Sequence, residues 1–195
     1  MHGMINRALQ SFIVSTYGPA TWTDVAEAGR LPPDGFEAMN HYDDAVTRAC
    51  LAATVEVLDK DLNTLLEDIG TYLVTGPELE PLRRLLRFGG ATFAEFLFSL
   101  DEMPDRVRLA VPDLELPDIT VHPEGGGDFT VAVRWTLPGA APLLMGTLRA
   151  MADDYGALVT MDLAGEIDGA ERIRLTVFDA DFAAGRAFSL GQAVP

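Results

Sequence analysis

At Pro117 the hydrophobic pattern of this chain changes period, and that change restricts the fold more than any other feature. Before it, apolar residues recur at the three- and four-residue spacing of one helix face. Ile5, Leu9, Phe12 and Ile13 form one such stripe, Leu62, Leu65, Leu66, Ile69 and Leu73 a second, and Phe93, Phe96, Leu97 and Leu100 a third. After Pro117, Ile119 to His122 and Phe129 to Trp135 have the composition of strands, joined by a turn at Glu124 to Asp128 whose three consecutive glycines free the backbone. A helix over 141–154 follows, and then strands over 157–164 and 171–179 joined through Asp168-Gly169, a hairpin-type turn. Helices first, then two hairpins bracketing one helix, is an α+β order.

Local signals set the boundaries. Tyr17-Gly18-Pro19 stops the first helix, a short helix is predicted over Thr23 to Ala28, and Gly29 to Gly35, with two prolines, reads as a loop. Asp43 or Asp44 can cap a helix running to Leu58, and Asp59 or Asp61 the next. Leu82, Leu85 and Leu86 continue the helical region, which ends with Val107 and Val111. Pro104 is tolerated only in a first turn, so a new helix is predicted to begin near Asp101. The division expected is one domain over 1–181, helical over 1–117 and sheet over 118–181, with a loosely packed tail over 182–195.

With 195 residues, 48% of them hydrophobic, the chain is long enough for one substantial core. No apolar run reaches the roughly 18 residues of a membrane span, and Met1-His2-Gly3 lacks the basic and then apolar order of a secretory signal. A cytoplasmic protein with no membrane partner is the expectation. The single Cys50 cannot form an internal disulfide and is expected as a small core residue. Thirty Asp and Glu against fourteen Lys and Arg give a net charge of -16, which repels nucleic-acid backbones. There is no Gly-rich phosphate loop, Cys-x-x-Cys pair or His-x-x-x-His pair, and Asp43 beside Asp44 is a helix start rather than a catalytic carboxylate pair. No nucleophile has an evident base, so no enzymatic activity is expected.

Several segments in order resemble one family. Met1-His-Gly-Met-Ile-Asn-Arg-Ala-Leu with Tyr17-Gly-Pro-Ala-Thr-Trp22, then Tyr42-Asp43-Asp44 and its helix, then Pro112 and Pro117 are similar to blocks of the H-NOX family. These are the haem nitric oxide/oxygen-binding domains of bacterial gas sensors and of soluble guanylate cyclase. The resemblance covers roughly residues 1–180 and implies a helical subdomain followed by a four-stranded antiparallel sheet with one crossing helix. It also implies haem between the two parts, a His ligand to iron, and a Tyr-x-Ser-x-Arg clamp on the propionates.

Those functional positions are altered. The ligating His of the family precedes two prolines by eight and thirteen residues, which places Pro104 at the ligand position. Aligning through Gly139 and Gly146 places Val133, Trp135 and Leu137 on the clamp. Neither Pro nor these three side chains can bind iron or pair with a carboxylate as Arg does. Arg134 is adjacent, but on a strand it faces the other way. Ile5 and Pro117 match family residues that press on the porphyrin. The resemblance therefore implies a sensor or signalling module without family-type haem, acting through another ligand or by protein contact. A histidine kinase or diguanylate cyclase is the implied partner. The alternative is a haem-binding gas (NO/O2) or redox sensor with a substitute ligand, drawn from His2, His41, His122 and Cys50. Of these His2 is the first choice for metal, since the family's second residue lies near the pocket; otherwise it is a solvated terminal side chain, and His41 and His122 are surface residues.

Overall fold

The computed structural model describes residues 1–188, with Ala110 described by its backbone alone. Seven α-helices precede the sheet: α1 (Gly3–Tyr17), α2 (Pro19–Gly29), α3 (Asp44–Leu58), α4 (Leu62–Thr75), α5 (Glu80–Arg87), α6 (Phe93–Phe98) and α7 (Met103–Ala110), with a 3-10 turn at Pro77–Leu79 before α5. Then come β1 (Asp118–Gly125), β2 (Asp128–Arg134), α8 (Ala140–Tyr155), β3 (Leu158–Ile167) and β4 (Ala170–Asp179). The four strands form one antiparallel sheet in the order β1-β2-β4-β3, so α8 carries the chain from one hairpin to the far side of the other. The α+β class and the four-stranded sheet with its crossing helix are as the sequence implied.

Capping chemistry explains most boundaries. Asp43 accepts from the Ala45 amide and Asp61 from the Thr64 amide, so of the two alternatives at each helix start these are the caps. Thr92 and Glu95 make a reciprocal capping box on α6. Helix α2 is longer than the segment predicted from residue 23, because Pro19 occupies its first turn, where a missing amide costs nothing. Pro104 sits likewise in the first turn of α7, which starts at Met103.

Two apolar clusters share the interior. One, within the helical part, contains Phe12, Ile13, Val25, Phe36, Leu65 and Ile69. The other joins α6, α7 and α8 to the inner face of the sheet through Phe96, Leu97, Val131, Leu148, Met151 and Ile173. They meet where α4 crosses α8, and glycine makes that crossing possible. A Cβ on Gly70 would stand 2.0 Å from the Leu143 carbonyl oxygen, and one on Gly146 2.0 Å from that of Glu67. The close approach also lets Thr147 donate to the Gly70 carbonyl at 3.3 Å and Thr71 to the Gly146 carbonyl at 3.4 Å.

The segment after Asp181 is more tightly held than its weak pattern suggested. Ala183 donates to the Gly156 carbonyl and Arg186 to that of Asp154, while Arg83 reaches the Ala187 carbonyl at 3.4 Å. Beneath this strap, Arg83 and Asp154, both almost fully buried, pair at 2.8 Å. Arg87 stacks 3.8 Å above the Tyr155 ring. The rest of the 182–195 tail lies outside the described residues. No helix among the described residues is long and apolar enough to cross a membrane.

Replacing Gly146 with Ala should lower unfolding stability by about 1–3 kcal/mol or more, since the opposing atom is backbone that cannot move aside by rotation. Chemical denaturation measures this; an unchanged midpoint would show that α4 and α8 separate without cost.

Candidate functional site

At the position where the resemblance puts the iron ligand, the side chain is buried and chemically inert. Pro104 lies inside the first turn of α7, next to Met103 in the larger cluster. Its nitrogen belongs to the backbone amide and has no lone pair to offer. Across the cluster, Val133 is 1% exposed on the inner face of β2 beside Val131. Arg134 is exposed on the opposite face, as strand alternation requires. Leu137 is buried in the connection to α8, and Trp135 is half-buried against the same cluster. Ile5 and Pro117 are both half-buried. Thus Val133 and Trp135 share one packed region with α7, while Ile5 and Leu137 belong to neither cluster.

No propionate clamp is present at these positions, and a nearby site for a carboxylate is already taken. Helix α8 begins at Gly139, which cannot cap through a side chain. Glu171, from β4, supplies the cap instead: its carboxylate accepts from the amides of Gly139 at 2.9 Å, Ala140 at 3.2 Å and Ala141 at 2.9 Å. A helix N-terminus favours an anion there, and the chain fills it with its own. Sequence reasoning missed Glu171 because thirty or more positions separate it from the amides it binds, and a Glu on a strand carries no local signal of such a role.

The four substitute ligands fare differently. His2 is 4% exposed, not solvated as the sequence suggested, because it caps α1: its Nδ1 accepts the Met4 amide at 3.2 Å. That bond assigns the ring proton to Nε2. Neither nitrogen then has a free lone pair, and iron ligation would require breaking the cap. Its ring lies edge-on to His41 with centroids 5.0 Å apart, and the two residues form an isolated β-bridge. His41 is exposed, as expected, and His122 is exposed on the edge strand β1. Cys50 is 1% exposed, a core residue as expected. Burial pushes its thiol up to about 12, so it holds its proton and is no thiolate ligand.

An open cleft of about 790 Å³ runs between the loop carrying His41, the end of α7 at Arg108, the segment Pro112–Asp118 and the end of β2 at Arg134 and Trp135. It gathers His41 and Trp135, two residues singled out from the sequence, at the junction of the helical and sheet parts. The Trp135 indole nitrogen is buried with no hydrogen-bond partner.

The profile of the family described as haem-NO-binding matches residues 2–163. The chain belongs to that family. Among curated relatives, soluble guanylate cyclase gcy-31 of Caenorhabditis elegans is 23% identical over 154 residues, covering 79% of this chain and 22% of that protein. Soluble guanylate cyclase 89Db of Drosophila melanogaster is 21% identical over 158 residues, covering 81% and 24%. The chain therefore spans less than a quarter of the length of these two relatives. Among solved structures, an Fe(II) unliganded H-NOX mutant from K. algicida superposes with a TM-score of 0.79 at 16% identity, covering 92% of this chain and 97% of that one. A T. Tengcongensis H-NOX mutant gives 0.75 at 17% identity, with 92% and 99% covered. The fold is that of an H-NOX domain.

Replacing Glu171 with Ala removes three amide bonds to a charged acceptor and should cost about 1–3 kcal/mol of stability. The same change at exposed Glu166 should shift stability by less than about 0.5 kcal/mol. Equal effects in thermal unfolding would show that the α8 cap does not matter.

Proposed function

We propose that this H-NOX-fold module works without family-type haem and carries signals by contact with a partner protein. The observation that carries this reading is the joint chemistry of four positions. Pro104 replaces a metal ligand, and Val133, Trp135 and Leu137 replace a propionate clamp, in a chain whose scaffold is intact. Iron held without an axial side chain, and two propionates desolvated without partners, would together cost several kcal/mol. The neighbouring helix N-terminus adds no compensation because Glu171 occupies it. In this reading Trp135 reshapes the channel where the propionates would lie, and Ile5 and Pro117 serve only as packing residues.

The family's haem chemistry, sensing of NO or O2 by iron, would require a new ligand here. His2 is committed to capping α1 and Cys50 is a buried protonated thiol, which leaves the exposed His41 and His122, of which His41 lines the cleft. The module itself is read as non-catalytic, acting in the cytoplasm on a signalling enzyme such as a histidine kinase or diguanylate cyclase. Support for signalling by contact comes from its family and from relatives in which a domain of this kind forms less than a quarter of a longer cyclase.

Restoring the ligand alone, by Pro104→His, should not give tight haem binding; adding Val133→Tyr, Trp135→Ser and Leu137→Arg together should. Haemin titration followed in the Soret region checks this. A saturable one-equivalent band with Pro104→His alone would show the clamp positions and Trp135 to be irrelevant, and would contradict the reading.

A further inference from the structure

We propose that the strap over residues 183–188 is a latch: seated, it locks α5 against the end of α8, and released, it frees α5 from the sheet part. This rests on the reading of the module as one that signals by protein contact, and names the element through which such a contact is passed on.

The seat of the strap is the last turn of α8, whose final carbonyls have no partner within the helix. Ala183 donates to the Gly156 carbonyl at 3.0 Å and Arg186 to that of Asp154 at 2.9 Å. Glycine lets the strap lie directly on this backbone. A Cβ on Gly156 would stand 2.1 Å from the Ala183 carbonyl oxygen, and one on Gly185 2.6 Å from that of Asp154. Residues 183–187 are nonetheless exposed, and Phe188 is half-buried. These few bonds and one ring contact act against the chain entropy of six ordered residues, which places the seated and released states close in free energy.

Two arginines of α5 tie the strap to α8. Arg83 donates through Nε to the Asp154 carboxylate at 2.8 Å and through Nη2 to the Ala187 carbonyl at 3.4 Å. Arg87 Nε stands 3.5 Å from the second Asp154 oxygen, an ion pair without a hydrogen bond. Its guanidinium lies over two rings, 3.8 Å from the Tyr155 centroid and 5.2 Å from that of Phe188. Asp154, 3% exposed, therefore answers both cations in a dry setting, where opposite charges attract more strongly than in water. Lifting the strap takes away the Ala187 and Phe188 partners and admits water to the pair. The tie between α5 and α8 then weakens, and by thermodynamic reciprocity a loosened α5 releases the strap.

Amide hydrogen exchange of the whole chain tests this. Gly185→Ala sets a Cβ against backbone that cannot rotate away, and Phe188→Ala removes one ring from Arg87 while leaving the α8 seat intact. In both variants, exchange at the Ala183 and Arg186 amides should rise about tenfold, and at the Arg87 and Phe88 amides, which close α5, about threefold or more, with β2 amides unchanged. Reciprocally, Arg87→Lys keeps the charge but loses the plane that stacks on the rings, and should speed exchange at Ala183 and Arg186 about threefold. Strap exchange that rises while α5 stays unchanged would show packing without coupling and overturn the proposal. So would strap amides unaffected by the three substitutions, or an equal rise in β2, which means global rather than local opening. A Soret band in the native protein would overturn the haem-free reading and leave the exchange result standing, so the two failures are distinguishable.

Discussion

The contact of α4 with α8 is the constraint on which the arrangement depends. Helices with ordinary side chains pack about 8–10 Å apart, but Gly70 and Gly146 bring these backbones close enough for each helix to receive a threonine hydroxyl from the other. On one side of this crossing lies the helical cluster and on the other the cluster beneath the sheet. Everything at the junction inherits its position from it, including the start of α8, Glu171 and the mouth of the cleft. A side chain at either glycine would push the halves apart and change the site without touching any residue in it.

How much of this was legible in the sequence depended on range. The helices and both hairpins were, because their signals are local: apolar spacing, Asp43 and Asp61 as caps, Pro104 confined to a first turn, Asp168-Gly169 as a turn. The resemblance that puts Pro104 at the family's ligand position rests on a local signal as well, its spacing to Pro112 and Pro117. What escaped was set by pairs distant in sequence. Glu171 bonds amides about thirty residues away, Arg83 reaches Asp154 and Ala187, and each glycine of the crossing is explained only by the opposite helix. His2 was misjudged for the same reason. A terminal His is solvated by default, and its burial comes from the bridge to His41 and its cap on α1.

Two physical facts separate the scaffold from the cofactor chemistry of its family. The scaffold needs apolar side chains in the right places and tolerates exchange among them. Haem needs a lone pair at one point and paired donors at two others, and these cannot be replaced by packing. Pro104, Val133 and Leu137 are buried residues that satisfy the first need and not the second. The cleft at Trp135 lies at the junction of the helical and sheet parts. The H-NOX fold is kept with none of these donors at the positions that the resemblance assigns to them.

The most direct measurement is the absorption spectrum of the unmodified protein as haemin is titrated past one equivalent. The account predicts only the broad band of free haemin, growing without saturation. A sharp Soret band that saturates at one equivalent would contradict it and would turn attention to His41 and His122 as iron ligands.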